Sequence, residues 1–353
     1  MNPHLSSTRH LQHSGSTFAA TQSASDSIVI VDLSLRPGPV EVGEIVVGRA
    51  PWGLTFDSDR DRLFVATAEG VAVVDGVAGG AGALIAVVPF TSSPSTRADA
   101  PTFGEYRAGG TGIALSPDGS RVYVGVHRDD ERMSVVEVID TTTLEVVDNL
   151  DVGERPFDIQ ISPSGHEVYS IDHDSFTLHT ISARDHAVRS TIVAPFGTEG
   201  GHMSHQKLHY AAVADDGTLY MPFQGKGLVA FDADTGEYTT APMTGDTHQH
   251  GTALTDDGRL LVVGVGPIGG ATLGPSLTVR DLESGAENVI ELDRGHENVI
   301  PWIDPATGRR LAILTGGSTS RGPWDGLTLV DLDTSALEFV DDASKPQQVV
   351  PIA

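Results

Sequence analysis

The chain reads as an all-β protein, a seven-bladed β-propeller, and three observations say so. A degenerate unit of about 45 residues recurs along it. Within each unit, alternating β-branched residues lie between Gly- and Asp-rich turns, the local signature of strands. The last segment, Pro346–Ala353, has the character of a first strand, whereas Thr17–Ala20 and Ile28–Asp32 look like later strands lacking one.

The unit is clearest in three places. Gly112-Ile-Ala-Leu-Ser-Pro-Asp-Gly119 leads into Arg121-Val-Tyr-Val124 and then Val135-Val-Glu-Val-Ile-Asp140. Pro156-Phe-Asp-Ile-Gln-Ile-Ser-Pro-Ser-Gly165 leads into Glu167-Val-Tyr-Ser170, and His250-Gly-Thr-Ala-Leu-Thr-Asp-Asp-Gly258 into Arg259-Leu-Leu-Val262. Each reads as a strand, a tight turn, a second strand, a loop, and a third strand ending in Asp, with a polar turn and fourth strand after it. The Asp-Gly and Ser-Gly pairs supply the positive φ that a tight hairpin needs. Weaker copies occur at Pro51–Val65, His209–Met221 and Val299–Leu314, which makes six first strands. The C-terminal segment is the seventh, and its pairing with the N-terminal strands closes the ring and removes open sheet edges. Six or eight blades fit the spacing less well. The expected organisation is an N-terminal tail, residues 1–15, and one propeller domain, residues 16–353.

Residues 110–124 resemble the YVTN/lactonase-like propeller superfamily, whose hallmark is a Pro-x-Gly-x-Ala-x-Ser-Pro-Asp-Gly stretch before a Tyr-Val strand. The resemblance covers most of the chain. It implies the fold and leaves the activity open, since members include lactonases, lyases, cytochrome-associated and copper-binding propellers, and non-catalytic proteins. Fold does not give function.

Composition excludes several classes of partner. The formal charge is −26, and Lys occurs only at 207, 226 and 345. Neither nucleic acid nor an anionic membrane suits such a surface. With no Cys there is no disulfide, thiol nucleophile or thiolate-held metal. No apolar run approaches the roughly 18 residues of a membrane span. Met1–Gly15 is polar with no signal-peptide core, so the expected location is cytoplasmic, a processed secreted form being the alternative. Oligomeric state is not legible, and a monomer is consistent with the sequence.

Connectivity makes the two ends of the ring unequal. Turns between first and second strands, and between third and fourth, are short. The opposite face carries long segments such as Pro89–Gly110, Pro195–His205, Gly264–Pro275 and Thr315–Gly326. Function concentrates on loops over a rigid scaffold, so a binding mouth is expected on the long-loop face.

The chain has 14 His residues, and several of them gather there. His205 and His209, His248 and His250, and His296 with Glu297 sit at the starts of first strands in three successive units. Imidazole is the commonest ligand for Zn, Cu, Fe and Ni, and three His with an open position is a catalytic-metal pattern. The expected metal ligands are therefore His205, His248 and His296. Glu297 is expected as a fourth ligand or general base, with His250 and His209 as further proton carriers. Arg155, at the matching strand start, is a candidate anion clamp. His127 and His173 follow second strands on the same face and are candidate outer ligands or substrate contacts. Trp52 and Phe157 share the register of His209 and His250 and are expected to wall a pocket or pack between blades. His166 and His186 fall in turns on the plain face, and His10 and His13 in the tail, so none of these four is assigned a role.

The leading expectation is a metal-dependent enzyme, oxidoreductase or lyase, acting on a small molecule with copper, iron or zinc. Some superfamily relatives use channel-mouth His and Glu with a divalent ion for lyase chemistry, and copper-binding members place His at inner-strand starts; the resemblance implies the same here. The alternatives are a non-catalytic binding or scaffold propeller and, third, a metal-free lactone hydrolase. The Gly264–Gly270 stretch is interrupted by Pro and no helix follows, so it is no dinucleotide loop.

Overall fold

The computed structural model describes residues 15–92, 106–128, 133–192, 207–223, 227–245, 249–267, 271–316, 326–341 and 345–352. Seven antiparallel four-stranded sheets are arranged as the blades of one propeller. Blades 2–7 are each built from consecutive strands; blade 1 takes its innermost strand, Val349–Pro351, from the C-terminus. That strand pairs with Thr17–Gln22 through Phe18↔Pro351, Ala19↔Val350 and Ala20↔Val349. The ring is thus closed as the sequence predicts. The tail, apart from residue 15, lies outside the described residues.

The core is not one cluster but seven, one in each gap between neighbouring blades. A strand in such a gap is covered on both faces. The middle strands accordingly read as near-continuous apolar runs, for example Ser27-Ile-Val-Ile-Val-Asp32, instead of alternating. Outermost strands alternate, as in Glu41–Val46, because one of their faces meets water. The closing gap, between blades 7 and 1, is pinned by Phe18 edge-on to Trp302 at 5.7 Å. Arg36 lies over the same indole and bonds Asp304.

The Gly of the repeat has a packing reason. A Cβ at Gly53 would lie 2.4 Å from the carbonyl oxygen of Thr111, one at Gly112 2.5 Å from the amide of Ile159, and one at Gly251 2.6 Å from the carbonyl oxygen of Glu297. Innermost strands of neighbouring blades converge on the axis, and these glycines allow them to touch backbone to backbone. Gly112→Ala is therefore expected to cost about 1–3 kcal/mol, the usual range for overpacking a rigid site. Urea denaturation checks this against Gly79→Ala, where φ is not positive and a Cβ meets nothing within 4 Å.

Candidate functional site

The histidine end of the channel is built by β-bulges. In blade 3 the ladder slips between Gly110 and Ile113, in blade 4 between Pro156 and Asp158, and in blade 6 between Gln249 and Thr252. In blade 5 an isolated bridge, Leu208↔Phe223, precedes the short strand Ala212–Val213 and leaves 209–211 outside the ladder. A bulge inserts an extra residue and re-aims its side chain. The re-aimed residues are Phe157, His209 and His250, each five positions before the residue that anchors the first turn (Ser162, Ala214 and Thr255). Trp52 holds the same place relative to Asp57.

These side chains meet across the axis. The His209 and His250 rings stack at 4.0 Å, and Phe157 stands edge-on to His209 at 5.1 Å and to Tyr210 at 5.4 Å. Trp52 Nε1, from blade 2, donates to the Tyr210 hydroxyl of blade 5 at 3.3 Å, and Gln348 Nε2, from blade 1, donates to it at 2.8 Å. The result is a plug. His173, His209 and His250 are no more than 3 % exposed, so the ring is packed at this level. Trp52 belongs to the plug, packed against Phe157 and Tyr210.

A hydrogen-bonded chain lies against this layer. His173 Nδ1 donates to Asp174 Oδ1 at 2.8 Å, and His173 Nε2 faces His209 Nε2 at 3.1 Å. Asp174 also accepts from Arg155 Nε at 2.7 Å and from Lys207 Nζ at 2.6 Å. Burial opposes its ionisation, yet the His173 bond and the two cations hold its carboxyl far below the usual range. Burial pushes His173 down to about 4 despite its carboxylate partner, so the ring is neutral at pH 7. Arg155 sits at positive φ and its guanidinium covers the Tyr106 ring at 4.6 Å. The candidate anion clamp is thus engaged with Asp174.

The predicted residues divide into three groups. His173, His209 and His250 come together. His205 and His248, two of the three expected metal ligands, lie outside the described residues. The third, His296, is fully buried in blade 7 with both nitrogens occupied: Nδ1 by the Gly316 carbonyl at 3.1 Å and Nε2 by Thr328 Oγ1 at 2.8 Å. A ligand needs a bare nitrogen, so His296 is structural in this arrangement. Its neighbour Glu297 accepts from Gln347 Nε2 at 2.6 Å. His127 is buried, its Nδ1 3.5 Å from Ser134 Oγ. Among the described residues, no group of three or more His, Asp or Glu is poised to hold a metal.

Sequence reasoning missed Asp174, Lys207, Tyr106 and Tyr210. Asp174 follows His173 directly, so the triplet Asp172-His-Asp174 was a usable signal. Tyr106 and Lys207 reach the site from crossings between blades, which no repeat register predicts.

Below the plug lies a cavity of about 520 Å³. It runs from Tyr210 down the innermost strands and reaches the exposed Asp256 in a short turn. The accessible part of the channel therefore faces the plain end of the ring.

No family model matches the chain, and no curated protein matches it. Solved structures share its fold. A hydrazine synthase structure from Kuenenia stuttgartiensis is 16 % identical with a TM-score of 0.65, covering 91 % of this chain and 93 % of that one. A protein from Bacteroides fragilis provisionally labelled a 6-phosphogluconolactonase is 14 % identical with a TM-score of 0.66, covering 96 % and 98 %. A functionally unknown protein from Desulfotomaculum acetoxidans is 9 % identical with a TM-score of 0.65, covering 95 % and 98 %. The propeller fold is common to all three, and two of them carry enzyme names. Among the described residues, no helix is long and apolar enough to cross a membrane.

His296 makes acid stability testable. Burial lowers it to about 4, against about 6.5 in an unfolded chain. Between those values the unfolded state binds more protons, so stability is complete above pH 6.5 and falls as pH drops towards 4. His296→Gln is expected to flatten the dependence of unfolding free energy on pH by about 1.4 kcal/mol per unit. Urea titrations from pH 4.5 to 6 measure it.

Proposed function

We propose that this propeller is a metal-dependent enzyme acting on a small molecule at the histidine-bearing end of its channel. One observation carries the reading: two imidazole nitrogens, His173 Nε2 and His209 Nε2, face each other at 3.1 Å. Asp174 only accepts, so the His173 proton stays on Nδ1 and Nε2 presents a bare lone pair. A second lone pair cannot face it at that distance unless a proton or a metal ion lies between. Two nitrogens bound at about 2.0–2.1 Å in a tetrahedral site sit about 3.3 Å apart, close to the separation found. A carboxylate behind the imidazole is the usual outer partner of a histidine ligand.

The pair would hold copper, iron or zinc. Copper or iron would supply redox chemistry and make the enzyme an oxidoreductase; zinc would polarise a substrate oxygen and suit a lyase. His250, stacked on His209, is a candidate proton carrier; Glu297 is directed at Gln347. Arg155 and Lys207 hold Asp174 ionised and so keep His173 in the ligand tautomer. We also infer membership of the YVTN/lactonase-like superfamily, on residues 110–124.

The ring stacking and the Trp52–Tyr210–Gln348 contacts favour a second reading, in which His209 donates its own proton to His173 and the cluster is a structural plug in a non-catalytic propeller. Elemental analysis of protein purified without a polyhistidine tag separates the two. The enzyme reading expects about one equivalent of copper, iron or zinc, lost in His173→Ala and His209→Ala, with Asp174→Asn weakening affinity about 10–100-fold. Metal-free protein whose metal uptake is unchanged by those substitutions would leave the plug.

A further inference from the structure

The repeat places Gly four residues before the turn anchor in blades 2, 3 and 6: Gly53, Gly112 and Gly251. In blade 4 the residue at that place is Asp158. Backbone contact with the next blade is replaced there by a carboxylate. Its Oδ2 accepts from the Ala211 amide of blade 5 at 2.9 Å and from Gln160 Nε2 at 2.8 Å. Burial raises this carboxyl to about 6, against the lowering effect of those bonds. Among the described residues, no basic side chain contributes to the shift.

Asp158 lines the channel cavity, on the side of the plug away from the His173–His209 pair. The lining contains a second carboxyl, Asp256, and no Lys, Arg or His among the described residues. Tyr210 forms the inner end, and Ile113, Ile159 and Val299 are among the apolar walls. At about 520 Å³ the cavity falls within the usual range for small-molecule sites. A tube of mixed polar and apolar lining with one deep carboxylate, no basic side chain among its described lining residues and an aromatic end suits an organic cation.

We propose that the central channel binds a small organic ammonium ion, entering from the short-turn face, with Asp158 as its counter-charge. Of the titratable groups on the strands packed around it, Tyr210 and Asp256 line the same cavity, and His209 packs instead on Phe157. The site is independent of the metal proposal, because the plug separates the two.

Calorimetric titration with choline tests it, beside 3,3-dimethylbutan-1-ol, the uncharged isostere, and acetate. At pH 7.5 choline is expected to bind at least about tenfold tighter than the isostere, and acetate not at all. At pH 5 most of Asp158 is protonated, so choline affinity is expected to fall about tenfold. Asp158→Asn keeps an acceptor for the Ala211 amide and is expected to abolish choline binding with an unchanged circular dichroism spectrum. Thr252→Phe, which fills the cavity, is expected to do the same, and His173→Ala to leave binding intact. The proposal is overturned if choline does not bind the wild type, binds no better than its isostere, or binds Asp158→Asn as well as wild type.

Discussion

The fold depends on three residue pairs. Val349, Val350 and Pro351 lie beside Thr17–Gln22 and complete blade 1 from the far end of the chain. Without them blade 1 has no innermost strand, and an unpaired edge faces the axis. Each blade is a thin sheet whose two faces are covered only by its neighbours, so none is stable alone. Closure makes the seven inter-blade clusters mutually supporting. Phe18 against Trp302, and Arg36 reaching Asp304, tie that last joint.

The same geometry creates the chemistry. Seven strands converging on an axis leave little room, and the repeat meets this with Gly at the point of closest approach. Just before that point the innermost strands of blades 3, 4 and 6 bulge and that of blade 5 leaves its ladder, which turns Phe157, His209 and His250 towards the centre. Small residues there would leave an open tube. Trp52, Phe157, His209 and His250 instead fill it and bury the imidazoles. Burial then sets their chemistry: it keeps His173 neutral and makes its bond to Asp174 strong, because little water competes. Where the Gly is replaced by Asp158, the same crowding buries a carboxyl in the wall of the channel cavity and raises it.

The sequence carried a great deal of this. The blade count, the closing strand and the shared register of Trp52, Phe157, His209 and His250 were all legible, because local turn chemistry and apolar alternation repeat with the blades. The assembly of the site was not. His296 looked equivalent to the other strand-start histidines, yet in blade 7 the backbone carries both its nitrogens to Gly316 and Thr328. Arg155 looked like an anion clamp, yet the partner it meets is Asp174. One-dimensional register says which residues share a level of the disc; it does not say which nitrogen meets which acceptor.

By itself, then, the sequence determined the ring, its seven-fold repeat and the end at which histidines collect, since these follow from short-range periodicity. The tertiary structure alone decided that this end is plugged, that His173 and His209 face each other before Asp174, and that the cavity lies below them with Asp158 in its wall. Those facts come from contacts across the axis between blades far apart in the chain. Such contacts are fixed by how crossings and bulges rotate each strand, which no repeat unit encodes.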